Sequence, residues 1–173
     1  MTAKKLQKTN AVRMVEQQAL HYTEHSYEWS EEDLSAEHVA EQLRRSLDQI
    51  FKTLVLRGNV TGVVVAVIPG SAELDLKKLA RESGNKKIDM LHVKELEKIT
   101  GYLRGGCSPI GMKKLFPTYI DETAQIFDTI IISAGRRGLQ LEMAPDDIVG
   151  ISQATLCDIT TTKLNKAPSS SDI

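Results

Sequence analysis

Apolar and polar residues alternate along "QIFKTLVLRG", residues 49–58, the pattern of a β-strand with one face turned inward. Ile50, Lys52, Leu54 and Leu56 fall on one face, and Phe51, Thr53, Val55 and Arg57 on the other. An ammonium group thus shares its face with large aliphatic side chains. Either this is an edge strand whose lysine stem snorkels to water, or the cation lies at the floor of a pocket and meets an anionic or carbonyl group. Asn59 ends the strand, and "TGVVVAVIPG" is predicted as its antiparallel neighbour across a tight turn.

Helical spacing marks other segments. Ala11, Val12, Val15 and Ala19 follow a cap at Thr9 or Asn10, and "SAEHVAEQLR" opens with Ser35 as N-cap, although His38 stands where a capping box wants a glutamate or glutamine. "AELDLKKLARESG" is predicted helical, with Leu74, Leu76 and Leu79 as its apolar side and Gly84 as its stop. "VKELEKITG" is a further helix closed by Gly101, and "APDDIVGISQA" another with Pro145 in its first turn. "HYTEHSYEW", "KKIDMLH", Thr118–Asp121, "FDTIIISAG" and "LQLEMA" read as strands, the last two flanking the turn "GRRG". The tail "KLNKAPSSSDI" is polar and is expected to be disordered. Strands adjoin one another while helices come singly, so the chain reads as α+β or mixed α/β, a single compact domain over residues 1–163 with a disordered tail at 164–173.

Charge narrows the function classes. With 22 basic and 23 acidic residues, a long basic nucleic-acid groove is excluded, while a local patch touching a few phosphates is not. Two cysteines and four histidines match no disulfide framework and no metal-ligand spacing, so no metal is expected. The N-terminus has no apolar core of a signal peptide, and the longest apolar run, "VVVAVI", is too short to span a membrane; the expectation is a cytoplasmic protein.

Two glycine-rich segments invite chemistry. In "GYLRGGCSPIG", 101–111, adjacent Gly105 and Gly106 permit backbone geometries that aim consecutive N–H groups into one concavity, suited to a developing oxyanion or a phosphate; the ordinary alternative is a connecting turn. Cys107 in this loop is a candidate nucleophile, yet nothing in the sequence places a histidine beside it. Ser108 is suited to bonding the loop backbone. In "SAGRRGLQLE", 133–142, Arg136 and Arg137 either meet phosphates or are solvated turn charges.

Together "FKTLV" at 51–55, "TGYLRGGCSPIGMKK" at 100–114 and "SAGRRGLQLEMAPDD" at 133–147, with "HSY" at 25–27 ahead of them, resemble the YbaK-type aminoacyl-tRNA editing family, the Cys-tRNA(Pro) deacylases. The likeness runs from about residue 8 to 162 with the segments in the expected order. It implies a compact domain with a curved, partly barrel-like mixed sheet surrounded by helices, and hydrolysis of a wrongly attached amino acid from tRNA without a cofactor. The family's key lysine falls at Lys52, and Tyr27, Thr53, Gly105, Gly106, Ser108 and Ser133 carry over as pocket residues. Arg136 and Gln140 join them as expected substrate contacts, Gln140 standing where some members have an aspartate. No strong general base appears in the matched motifs, and the family mechanism implies that the substrate cysteine's thiol attacks its own ester carbonyl. The implied partners are the 3′ aminoacyl end of a mischarged tRNA and prolyl-tRNA synthetase in a ternary complex. Alternatives are a sister specificity such as Ala-tRNA(Pro), or a non-catalytic tRNA- or nucleotide-binding module on the same fold.

Overall fold

The computed structural model describes residues 7–161. The expected domain boundary at 163 and the expected disordered tail lie outside them. Helix α1 spans Asn10–Gln17, capped by the Thr9 hydroxyl, which accepts the Val12 N–H. Strand β1 is Thr23–Ser26, shorter than the predicted "HYTEHSYEW". Helix α2, Ala36–Leu43, is capped as predicted by Ser35. Strands β2 (Phe51–Gly58) and β3 (Gly62–Pro69) form the predicted antiparallel pair, with Lys52 opposite Ile68. Helix α3 covers Leu76–Ser83 behind an Asp75 cap, β4 is Ile88–Met90, and α4 is Val93–Thr100, ended by Gly101. β5 (Thr118–Asp121) runs into a 3₁₀ turn at Glu122–Ile126. β6 (Ile130–Arg136), β7 (Leu139–Met143), α5 (Pro145–Ser152) and β8 (Thr155–Cys157) complete the order.

The strands form two sheets. One is mixed, in the order β4-β2-β3-β5-β8, and the other is antiparallel, β1-β7-β6. Neither closes on itself, and a single parallel bridge, Ile50 to Ile131, stitches them. The partly barrel-like expectation is therefore met by two open sheets facing a shared core. Phe51, Val65 and Val67 of the larger sheet meet Ile130, Ile132, Leu141 and Met143 of the smaller one, with Val12 and Val15 of α1 and Ile148 and Ile151 of α5 completing the layer. On the opposite face of the larger sheet, Leu56, Val64, Ala66 and Ile68 pack on Leu79 and Ala80 of α3. A sheet covered on both faces reads as a near-continuous apolar run, which is what "VVVAVI" is.

Two sequence expectations need correction. Leu76, assigned to the apolar side of α3, is 42% exposed, and Leu74 precedes the helix and bridges to Thr160 instead. Strand β8 was not foreseen; it adds parallel to β5 through only three residues, too few to carry a periodic signal.

Pairing length sets the surroundings of Lys52. β4 pairs only with Leu56, Arg57 and Gly58 of β2. The first half of β2 thus has an open side although the strand lies inside the sheet order, and Lys52 and Thr53 stand on that open half.

Candidate functional site

A small cavity of about 90 Å³ occupies this opening, between β2, the start of α2, the 101–111 loop and the smaller sheet. Lys52, Thr53, Gly105, Cys107, Ser133 and Gln140 contribute its polar and backbone wall, and Leu34, Ala36, Val39, Ile50 and Phe51 its apolar part. Five of the predicted site residues, Lys52, Thr53, Gly105, Ser133 and Gln140, meet here from three separate stretches of sequence.

Lys52 is half-buried, and its Nζ lies 3.4 Å from the Gly70 carbonyl oxygen. Among the described residues it forms no ion pair with a carboxylate. A partly desolvated cation with only a long carbonyl contact is electrostatically unfinished, and an anion or a polarised carbonyl completes it. Thr53 Oγ1 is fully buried without a hydrogen-bond partner. Gln140 is 4% exposed and faces Ser133 and His25 across the strands. An unpaired buried hydroxyl such as that of Thr53 is uncommon, and in this wall it is a group that a ligand could satisfy.

The smaller sheet reaches the cavity through an irregularity. Ser133 pairs with Gln140, but the next pair is Arg136 with Leu139, so β6 carries a bulge. The Ser133 hydroxyl accepts the Gly135 N–H at 3.1 Å inside that bulge, which fixes its position on the wall.

The glycine loop departs from the expected pair of free amides. Gly105 has φ +85°, and a β-carbon there would come within 2.9 Å of Leu34, so only glycine fits without strain. The Gly106 N–H, however, donates to the Leu103 carbonyl at 2.9 Å. Gly106 serves packing: a β-carbon on it would stand 2.9 Å from the Arg137 nitrogen and 3.0 Å from the Arg136 carbonyl carbon. The amides of Gly105 and Cys107, by contrast, donate to no described residue, and both residues line the cavity. The free amides of this loop flank Gly106 and do not include it.

Cys107 is buried, and burial pushes its thiol up to about 12, which leaves it protonated at neutral pH. Among the described residues neither a histidine nor a carboxylate lines the cavity. Ser108 is fully buried outside the cavity wall, where its hydroxyl accepts the Ile110 N–H at 3.2 Å. It shapes the loop, as its position in the sequence suggests.

On the other side of the diglycine step lies a wider cleft of about 680 Å³. Tyr27, Gly106 and Arg136, the remaining predicted residues, line this cleft and not the small cavity. Trp29, Leu103 and Arg137 line it too. Trp29 carries no signal in sequence, standing alone among polar residues in "YEWSEED".

Known proteins share this architecture. A family model described as Aminoacyl-tRNA editing domain matches residues 31–151. An Enterococcus faecalis (strain ATCC 700802 / V583) protein named "Putative Cys-tRNA(Pro)/Cys-tRNA(Cys) deacylase EbsC" is 61% identical over 155 residues, 90% of this chain and 94% of that one. "Proline--tRNA ligase" of Thermosipho africanus (strain TCF52B) is 33% identical over 81 residues, 47% of this chain and 14% of that protein. The solved structure "Crystal structure of a putative trans-editing enzyme for prolyl tRNA synthetase" superposes with a TM-score of 0.76 at 22% identity, covering 90% of this chain and 99% of that one, a likeness of fold. With the model matching most of its length and a relative this similar along nearly all of it, the chain belongs to the aminoacyl-tRNA editing domain family.

Proposed function

We propose that this chain is a trans-acting deacylase that hydrolyses Cys-tRNA(Pro). The observation that carries the reading is the half-buried Lys52 ammonium, without a carboxylate partner among the described residues, in the same small cavity as the Gly105 and Cys107 amides. In this reading the aminoacyl ester enters the cavity with its carbonyl oxygen toward the loop amides, which stabilise the negative charge that develops there. Lys52 neutralises the terminal phosphate or polarises an ester oxygen, and the side chain of the amino acid occupies the apolar wall.

Among the described residues the cavity wall holds no histidine or carboxylate, and its one thiol stays protonated. That favours chemistry in which the substrate provides its own nucleophile. The substrate's thiol sulfur forms a bond to the ester carbonyl carbon, the bond from that carbon to the ribose oxygen breaks, and the thiol proton passes to that oxygen. The tRNA leaves with a free hydroxyl, and water opens the resulting cyclic thioester to cysteine. Selectivity then combines this requirement with the size of the cavity, since a small apolar pocket alone separates side chains by only about 1–3 kcal/mol.

Similarity to a segment of a proline–tRNA ligase, and to a fold described as a trans-editing enzyme for prolyl tRNA synthetase, supports action beside that synthetase in a ternary complex, in the cytoplasm where charged tRNA is found. Among the described residues no helix is long and apolar enough to cross a membrane. A deacylation panel with Cys-tRNA(Pro), Ala-tRNA(Pro) and Cys-tRNA(Cys) tests the reading. Release of cysteine well above alanine is expected; preferential release of alanine would replace it with the sister specificity, and no release would leave a binding module.

A further inference from the structure

We propose that the wide cleft beside the small cavity is a stacking site for the unpaired nucleotides just upstream of the terminal adenosine, with Trp29 as its platform and Arg137 as the cation that holds the platform in place. The inference rests on the reading of the substrate as the 3′ end of a tRNA, and it adds a subsite that the cavity itself does not contain.

Three observations converge. Trp29 is 45% exposed, although a solitary tryptophan ordinarily hides most of its surface. Its exposure opens into a cavity of about 680 Å³, far more room than an amino acid needs. The Arg137 guanidinium lies 5.3 Å from the Trp29 ring centroid and is itself anchored, its Nε donating to the Arg104 carbonyl at 2.8 Å and its Nη1 lying 3.5 Å from Glu31. The indole also rests directly over Gly138, where a β-carbon would be 2.8 Å from Cδ1. The ring is thus held by Arg137 over it and Gly138 at Cδ1, both on the wall of the cleft that it lines.

The cleft's place beside the small cavity suits a single strand. Lys8 and Arg137 on its wall pair with Glu16 and Glu31, while the Arg136 guanidinium forms no ion pair among the described residues and is the cation left to meet a phosphate. Its boundary with the small cavity is one residue thick: Gly105 lines the cavity and Gly106 the cleft. A chain whose last residue reacts at Gly105 therefore lays its preceding nucleotides past Gly106 toward Trp29. Bases at an unpaired 3′ end are free to stack on an aromatic face, and such stacking tolerates any base.

Because Trp29 is the only tryptophan, its emission reports this site alone. The full chain is titrated with an uncharged single-stranded RNA oligonucleotide ending in CCA, with a blunt RNA duplex as control, and kcat and KM are measured in parallel on Cys-tRNA(Pro). Quenching by the single strand and not by the duplex is expected. Trp29→Ala, checked for an unchanged melt, should weaken oligonucleotide binding, followed by competition against a labelled strand, by about fivefold to a hundredfold, and raise KM similarly while leaving kcat near wild type. Trp29→Phe should restore most of both. Deacylation with no quenching, or a Trp29→Ala variant with unchanged KM, overturns the stacking site while leaving the deacylase intact. Quenching without turnover of any charged tRNA overturns the deacylase and keeps the single-strand site.

Discussion

Gly106 lies against the Arg136–Arg137 peptide so closely that a β-carbon on it would sit 2.9 Å from the Arg137 nitrogen. The neighbour is backbone of a bulged strand and its turn, which cannot move aside as a flexible side chain would. Gly106→Ala should therefore destabilise the fold by about 1–3 kcal/mol and lower deacylation by displacing the 101–111 loop from the cavity. Gly150→Ala, in the middle of α5 where a β-carbon meets nothing, should instead stabilise by about 0.5–1 kcal/mol. Thermal melts of the two variants side by side check the contrast.

Lys52→Ala removes the one cation that lines the cavity among the described residues. A fall in kcat/KM on Cys-tRNA(Pro) of about a hundredfold or more is expected, on the scale of losing one preorganised electrostatic contact. The melting temperature should scarcely change, because the ammonium makes only a 3.4 Å carbonyl contact. Unchanged turnover would remove Lys52 from the mechanism.

Cys107→Ser should keep its activity. Burial holds the thiol at about 12, so it offers almost no thiolate at neutral pH. Alkylating reagents should likewise leave turnover intact over the time they inactivate an exposed reactive thiol. Loss of activity in the serine variant would restore the cysteine-nucleophile reading.

Glu142 gives the stability a dependence on acid. Its carboxylate is held down to about 2 from 4.5, first by the Arg45 guanidinium at 2.9 and 3.1 Å, then by the Thr129 hydroxyl and the His25 ring. A carboxylate lowered on folding contributes stability that is full above its unfolded value of 4.5 and drains away as the pH falls toward 2. The contribution is on the order of 1–3 kcal/mol after allowance for solvent. Denaturant melts from pH 6 to pH 2.5 should show this loss in the wild type and a flatter profile in Glu142→Gln.

What the sequence made legible follows from where information is local. Caps at Thr9 and Ser35, the β2–β3 pair and the glycine stops at Gly84 and Gly101 are written in residues next to the elements they control. The meeting of Lys52, Gly105, Ser133 and Gln140 was legible only through the motif likeness, since no periodicity reports which distant segments touch. The division of labour between Gly105 and Gly106 was not legible. Whether an amide is free depends on a carbonyl such as that of Leu103, and whether a glycine is needed depends on a backbone such as that of Arg137. The separation of Tyr27 and Arg136 from the lysine cavity has the same cause, because a one-residue wall between two hollows leaves no trace in composition.

The 101–111 loop is tied across its base: the Tyr102 hydroxyl donates to the Ile110 carbonyl at 2.7 Å, and the Thr100 hydroxyl accepts the Tyr102 N–H at 3.0 Å. A segment laced shut in this way does its ordering when the protein folds, before any ligand arrives. In the proposed reading the donors that receive the ester then need no rearrangement at encounter, so binding energy from the long RNA arm remains available for strain at the bond to be cut. Turnover set by chemistry or by tRNA release, with no gating motion of this loop, is the kinetic signature of such a tied frame.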